Sequence, residues 1–295
     1  MNSRLRGNLM LLLTAFIWGT AFVAQSVGAD FVGPFTFICT RSVLGGLVLL
    51  PVIFLLDKTG ITKKPETGAD KKTLAIGGIC CGAALAIASV VQQMGVERTS
   101  VGKAGFITAL YILIVPMIGL FLKKKVGKLV WIGVGLALVG MYLLCITESF
   151  TIGFGDLLVL ICSFCYSVHI MVIDHFSPKV DGVRLSCIQF FTAAVISGIF
   201  MLLFETPSLE ALKGAAFPIA YAGIMSSGVA YTLQVVAQKD TDPTVASMLM
   251  SLESVFALLA GWVLLNQALS LKEMCGAVLV FCAIILAQLP EKKKA

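Results

Sequence analysis

Apolar runs about as long as a bilayer is thick recur from one end of this chain to the other, and they restrict its fold more than anything else in it. A run of about 20 residues with almost no charge reads as a membrane-spanning helix, because lipid offers no partner to an unpaired peptide group. Ten such spans fit, at roughly 9–28, 34–56, 74–96, 101–122, 129–147, 154–174, 185–204, 217–238, 243–265 and 274–289. Between them lie turn residues and charges, as in Asp57 to Lys72, Lys123 to Lys128, Ser177 to Arg184 and Lys239 to Asp242. Mean hydropathy is +0.98 and only 13% of residues are charged, which excludes a soluble domain. The expected fold is therefore an all-α polytopic membrane protein.

The net charge of +6 would suggest nucleic acid in a soluble protein. Here the basic residues sit in short connections, where headgroups and orientation account for them, so no nucleic-acid partner is expected. Seventeen of the 22 lysines and arginines fall on the side that holds the N-terminus, and Arg98, Lys103, Lys213 and Lys272 fall on the other. That asymmetry places both termini in the cytoplasm, with a bacterial cytoplasmic membrane as the expected location. Arg4 and Arg6 precede a first run too long for a signal peptide, so an uncleaved first helix is expected. The nine cysteines lie within apolar runs, which argues against a disulfide framework, and Cys162-x-x-Cys165 reads as small core residues.

An internal repeat runs through this pattern. VVQQMGVERTSVGKAGFITALYILIVP and TLQVVAQKDTDPTVASMLMSLESVFALL each carry a glutamine, Gln93 or Gln234, ahead of a tight polar connection into a long helix. The unit is then five helices, 1–147 and 148–295. An odd number of spans forces the second copy to enter the membrane upside down, as in many secondary transporters.

Candidate site residues are the polar groups that hydrocarbon would penalise. Glu253 lies about ten residues beyond Pro243, roughly 15 Å of helix rise, near the bilayer midplane. A carboxyl group is tolerated there only when protonated, paired or facing water, which makes Glu253 a candidate for binding a cationic group or coupling to protons. The bland reading is a glutamate that merely joins helices. Ser227, Tyr231, Gln234 and Gln238 share one helix face at α-helical spacing, as do Cys162, Tyr166, His169 and Ile173, and Thr14, Trp18 and Gln25. Aromatic, amide and imidazole groups of this kind suit an amino-acid-like solute; interhelical hydrogen bonding competes as an account. Gln92 and Gln93 point about 100° apart, and Gln93 is preferred for its match to Gln234. Arg41 reads as a structural tie to carbonyls or an acidic partner, and Lys103 as a snorkelling lysine.

The chain resembles the EamA-type branch of the drug/metabolite transporter superfamily over essentially its whole length. The matching residues are Trp18-Gly19, Arg41, the run from Thr99 to Pro116 that includes Tyr111, and Asp242-Pro243 through Glu253 to Trp262. The resemblance implies ten helices as two inverted five-helix repeats, and export or exchange of small metabolites. Family members often carry glycine-glutamate where this chain has Lys123-Lys124-Lys125 and Asn266-Gln267, so no role of those glutamates carries over. The expectation is a secondary transporter whose substrate-binding residues are Trp18, Gln25, Gln93, Tyr111, Tyr166, His169, Tyr231, Gln234 and Glu253. No cofactor or metal is implied, and the partners are a small-molecule substrate and the bilayer, with a homodimer left open. The alternative classes are an intramembrane enzyme, for which no H-E-x-x-H or G-x-S-x-G motif exists, and a membrane scaffold subunit. The chain contains no P-loop for ATP.

Overall fold

The computed structural model describes residues 3–60, 65–123, 126–145, 153–265 and 270–288. Among them every element is helical. The helices are α1 (Ser3–Ala29), α2 (Pro34–Thr59), α3 (Gly68–Val96), α4 (Val101–Thr108), α5 (Tyr111–Phe121), α6 (Lys128–Cys145) and α7 (Phe154–Phe176). They continue with α8 (Gly182–Phe204), α9 (Leu209–Gly214), α10 (Ala216–Ala220), a π-helical segment (Tyr221–Tyr231), α11 (Thr232–Gln238), α12 (Pro243–Met250), α13 (Glu253–Leu265) and α14 (Leu271–Gln288). Among the described residues eight stretches are long and apolar enough to cross a bilayer, and α6 and α14 carry shorter apolar stretches, Lys128–Gly140 and Met274–Leu286. The proposed repeat boundary at 147/148 lies outside the described residues, as do Lys124, Lys125, Asn266 and Gln267.

The molecule is turned inside out relative to a soluble protein. Phe54, Phe121, Leu202, Phe204 and Phe217 are exposed on its outside, while Gln25, Arg41, Gln92, His169, Gln234 and Glu253 are buried within it. Such an apolar exterior is a liability in water and a solvation match in lipid. The chain is a multi-pass membrane protein.

Two of the expected spans are interrupted at mid-length. In 101–122, α4 gives way to α5 at Ala109 and Leu110, where the peptide bonds tighten to i→i+3: Leu110 N donates to Ile107 O (3.2 Å) and Ile112 N to Ala109 O (3.0 Å). Pro116 follows within α5, and its missing N–H weakens the same stretch. In 243–265, α12 ends at Met250 and α13 starts at Glu253. Here serines cause the break. Ser251 Oγ donates to Met248 O (2.7 Å) and Ser254 Oγ to Ser251 O (2.8 Å), so hydroxyls occupy carbonyls that would otherwise take α-helical bonds.

A third span departs from α-helical winding altogether. Tyr221–Tyr231 is a π-helix of 11 residues, rich in the small residues Ala222, Gly223, Ser226, Ser227 and Gly228. Such wide turns are rare and frequently mark functional sites. The segment packs against α2 with almost no space between backbones: a Cβ on Gly45 would lie 2.6 Å from Ser227 Cβ, and one on Gly223 would lie 2.6 Å from Leu44 Cβ. Elsewhere α3 packs on α7 and α8, α2 on α8, α1 on α13, and α6 on α14.

Candidate functional site

The interrupted helices and the π segment meet around one polar cavity. Its wall includes Trp18, Phe22 and Gln25 of α1, Arg41 of α2, Gln92 of α3, Thr108 of α4 and Tyr111 of α5. Later helices add Tyr166 and His169 of α7, Ser226 and Tyr231 of the π segment, Gln234 of α11 and Glu253 of α13. It encloses about 30 Å³ of water-accessible space, room for a water or two and far less than a metabolite needs.

The two helix breaks deliver the central contact. Tyr111 opens α5 and Glu253 opens α13, and Tyr111 Oη donates to Glu253 Oε1 at 2.8 Å. Both side chains are buried, at 2% and 3% exposure, so the bond forms without competing solvent. A connected set of hydroxyls and amides runs alongside it. Tyr231 Oη donates to Tyr166 Oη (3.2 Å), Tyr166 Oη donates to Gln92 Oε1 (3.1 Å), and Gln92 Nε2 donates to Thr108 Oγ1 (3.2 Å). Four helical segments are tied by those three bonds. Aromatic rings line the same space, with Trp18 4.5 Å and His169 5.9 Å from Tyr231 between ring centroids. His169 Nε2 donates to Gln189 Oε1 (3.2 Å), which fixes the ring from the α8 side.

Arg41 is held differently from the sequence expectation. Its Nε donates to Ser227 Oγ (3.2 Å) and an Nη to Ser226 Oγ (2.9 Å), and the residue is 3% exposed in the cavity wall. The expected carbonyl or acidic partner is replaced by two neutral hydroxyls. The reason is the close approach at Gly45, which sets Ser227 of the π-helical serine pair against α2.

Of the nine residues singled out in the sequence, Trp18, Gln25, Tyr111, Tyr166, His169, Tyr231, Gln234 and Glu253 border the cavity. Gln93 does not. Its Nε2 donates to the backbone carbonyl of Gln25 at 3.0 Å, tying α3 to α1, and it is the adjacent Gln92 that faces inward. The preference for Gln93 over Gln92 is therefore corrected. Within the polar stripes, Gln238 donates to Ile170 O (3.1 Å) and Thr14 to Ala230 O (3.0 Å), both as links between helices, and Ile173 belongs to an apolar cluster with Leu185 and Val235. Lys103 does not simply snorkel, because its Nζ lies 3.4 Å from Asp156 Oδ2 at the start of α7.

Two polar residues of the cavity wall are not among the sequence candidates. Thr108 stands three residues before Tyr111 on the same helix face, a spacing that could have revealed it. Ser226 is hidden by the winding: at α-helical spacing Ser227 heads the stripe, whereas the π turn brings Ser226 into the wall.

Comparison with known proteins fits this arrangement. The model of the EamA-like transporter family matches twice, over residues 5–146 and 153–289. An uncharacterized transporter of Archaeoglobus fulgidus is 30% identical over 97% of this chain and 87% of its own length. The uncharacterized transporter YoaV of Bacillus subtilis is 23% identical over 94% of each chain, and a WAT1-related chloroplastic protein of Arabidopsis thaliana is 24% identical over 96% of this chain and 69% of its own. One crystal structure superposes with a TM-score of 0.78 over 96% of both chains at 18% identity, which shows a shared fold.

Proposed function

The chain belongs to the EamA-like transporter family and is a membrane transporter, and from that premise we propose that it is a secondary transporter working by alternating access. Its cargo is a small organic metabolite, an amino-acid-like solute being favoured, which it exports or exchanges. The observation that carries this reading is the buried cavity itself. Hydrocarbon does not tolerate Glu253, Arg41, His169, three glutamines and three tyrosines in one place without a use for them.

The architecture proposed is ten spans in two inverted halves, 1–147 and 148–295. Its support is a correspondence of neighbours. If each span in the first half is exchanged for its counterpart in the second, the contact of α3 with α7 becomes that of the π segment and α11 with α1, and α3 on α8 becomes the π segment on α2. The pairs α2 with α8 and α6 with α14 exchange with themselves, and the broken helix α4/α5 on α7 exchanges with the broken helix α12/α13 on α1. The two separate matches to the family model point the same way. Cytoplasmic termini follow from the lysine and arginine asymmetry.

In this mechanism the cavity opens to one face at a time as the halves rock about the broken helices. Glu253 is the proton-coupling group: it exchanges its proton when its side of the cavity is wet and carries it, or a cationic substrate group, across. Solute flux into proteoliposomes tests the proposal, with native protein compared with Glu253→Gln, with and without a proton gradient. Gradient-driven accumulation that the substitution abolishes supports it. Flux unchanged by the substitution removes Glu253 from coupling, and no flux of any metabolite by folded protein removes the transport reading.

A further inference from the structure

Building on that transport reading, we infer that Arg41 is the residue that binds a carboxylate of the solute, so that the cargo is a zwitterion with its anionic end on α2 and its amino end on the acceptors around Glu253. The guanidinium is permanently charged and buried, and among the described residues its hydrogen-bond partners are two uncharged serine hydroxyls. Two such bonds use only part of its planar donor set, and the fork that remains matches a carboxylate in a bidentate pair. The serines hold it ready. Ser226 and Ser227 come from the π segment, whose backbone is pressed onto α2 at Gly45 and Gly223, so the guanidinium is positioned before anything binds.

The other lining groups complete the pattern. Among the described residues, Gln25 Oε1 and Gln234 Oε1 are buried acceptors with no hydrogen-bond partner, and Trp18 Nε1 is a buried donor in the same condition. Such groups are costly unless something that enters the cavity pairs with them. Two unpaired amide carbonyls and the Glu253 carboxyl suit a positively charged amine, and Trp18 N–H with the Arg41 fork suits an anion. A neutral solute, or an amine alone, would leave Arg41 facing uncharged atoms. A zwitterion satisfies both ends.

The test compares two matched mixtures in proteoliposomes, the protein amino acids and their α-amides, which keep the amine and side chain and lack the negative charge. The vesicle contents are read by mass spectrometry. Native protein is expected to admit at least one amino acid about tenfold or more faster than its amide, a discrimination of the size that a buried charge-assisted pair provides. Arg41→Gln is expected to erase that ratio, chiefly by raising KM for the acid, and Arg41→Lys to retain part of it because charge remains without the fork. The double substitution Ser226→Ala, Ser227→Ala leaves Arg41 in place and untethered, and is expected to shrink the ratio without erasing it. Equal entry of acid and amide through the native protein overturns the inference, as does an undiminished ratio in Arg41→Gln. These outcomes leave transport itself standing. Entry of neither mixture, with thermal unfolding of the reconstituted protein normal, overturns the inference, because an amino-acid zwitterion is then not the cargo, and leaves the transport reading to the wider metabolite flux assay.

Discussion

Replacing Tyr111 with phenylalanine removes one oxygen from the centre of this protein and nothing else. The ring stays packed in its buried position, while Glu253 Oε1 loses the donor that lies 2.8 Å away. Hydrogen bonds between helices in a bilayer average about 0.6 kcal/mol and reach about 1.7 kcal/mol. Leaving a buried acceptor unpaired costs about 1–3 kcal/mol where solvent cannot replace the donor. With both groups at 3% exposure or less, the pair belongs in the overlap, at about 1–2 kcal/mol, a factor of roughly 5 to 30 in the folding equilibrium. A double-mutant cycle isolates it: Tyr111→Phe, Glu253→Leu and the double variant are unfolded reversibly in lipid bicelles and followed by tryptophan fluorescence. The coupling energy should fall in that range. If the two single effects add to within about 0.5 kcal/mol, the two residues are independent, and the idea that the broken helices are joined through this bond is refuted.

Other features of the fold make their own predictions. Glu205 accepts from Phe35 N (2.9 Å) and Thr36 N (2.8 Å) at the start of α2, so Glu205→Ala should lower stability by about 1 kcal/mol, read from the thermal midpoint, and Glu205→Gln by less. A Cβ on Gly140 would lie 2.8 Å from Gly276 O, where α6 packs on α14; Gly140→Val should cost about 1–3 kcal/mol, whereas the same change at Gly135, which has open space around it, should cost far less. Burial pushes the Glu97 carboxyl up from its ordinary range, with Arg98 opposing and Glu205 reinforcing the shift. Its neutral form is then favoured by folding, so this group's contribution is fully present below the ordinary glutamate value and is lost as pH rises through the folded one. Glu97→Gln should flatten that part of the stability profile measured by thermal unfolding across mildly acidic pH.

Much of the site could be read in the chain because a polar side chain in an apolar run has few places to go. Glu253, Tyr166, His169 and Gln234 stand out in that way, and each borders the cavity. What spacing could not reach was the departure from ideal helices. Periodicity treats 217–238 as one α-helix, so it presents Ser227 and omits Ser226; only the π winding brings both serines to Arg41. Likewise Tyr111 and Glu253 lie 142 positions apart and meet because two helices break at their starts, one through serine hydroxyls that no hydropathy pattern registers. Gln92 and Gln93 show a different limit. Both are buried polar residues on one helix, and the choice between them depends on the rotation of α3 against α1, which a one-dimensional match to Gln234 does not contain.

The most direct test of alternating access is the reach of water into the cavity from each side. In a background with the nine native cysteines replaced, Gln25→Cys is placed in oriented vesicles and exposed to a membrane-impermeant thiol reagent from the outside alone or the inside alone. The account predicts labelling from either side, at rates that shift in opposite directions when a transported solute is added. Labelling confined to one side under every condition would contradict it.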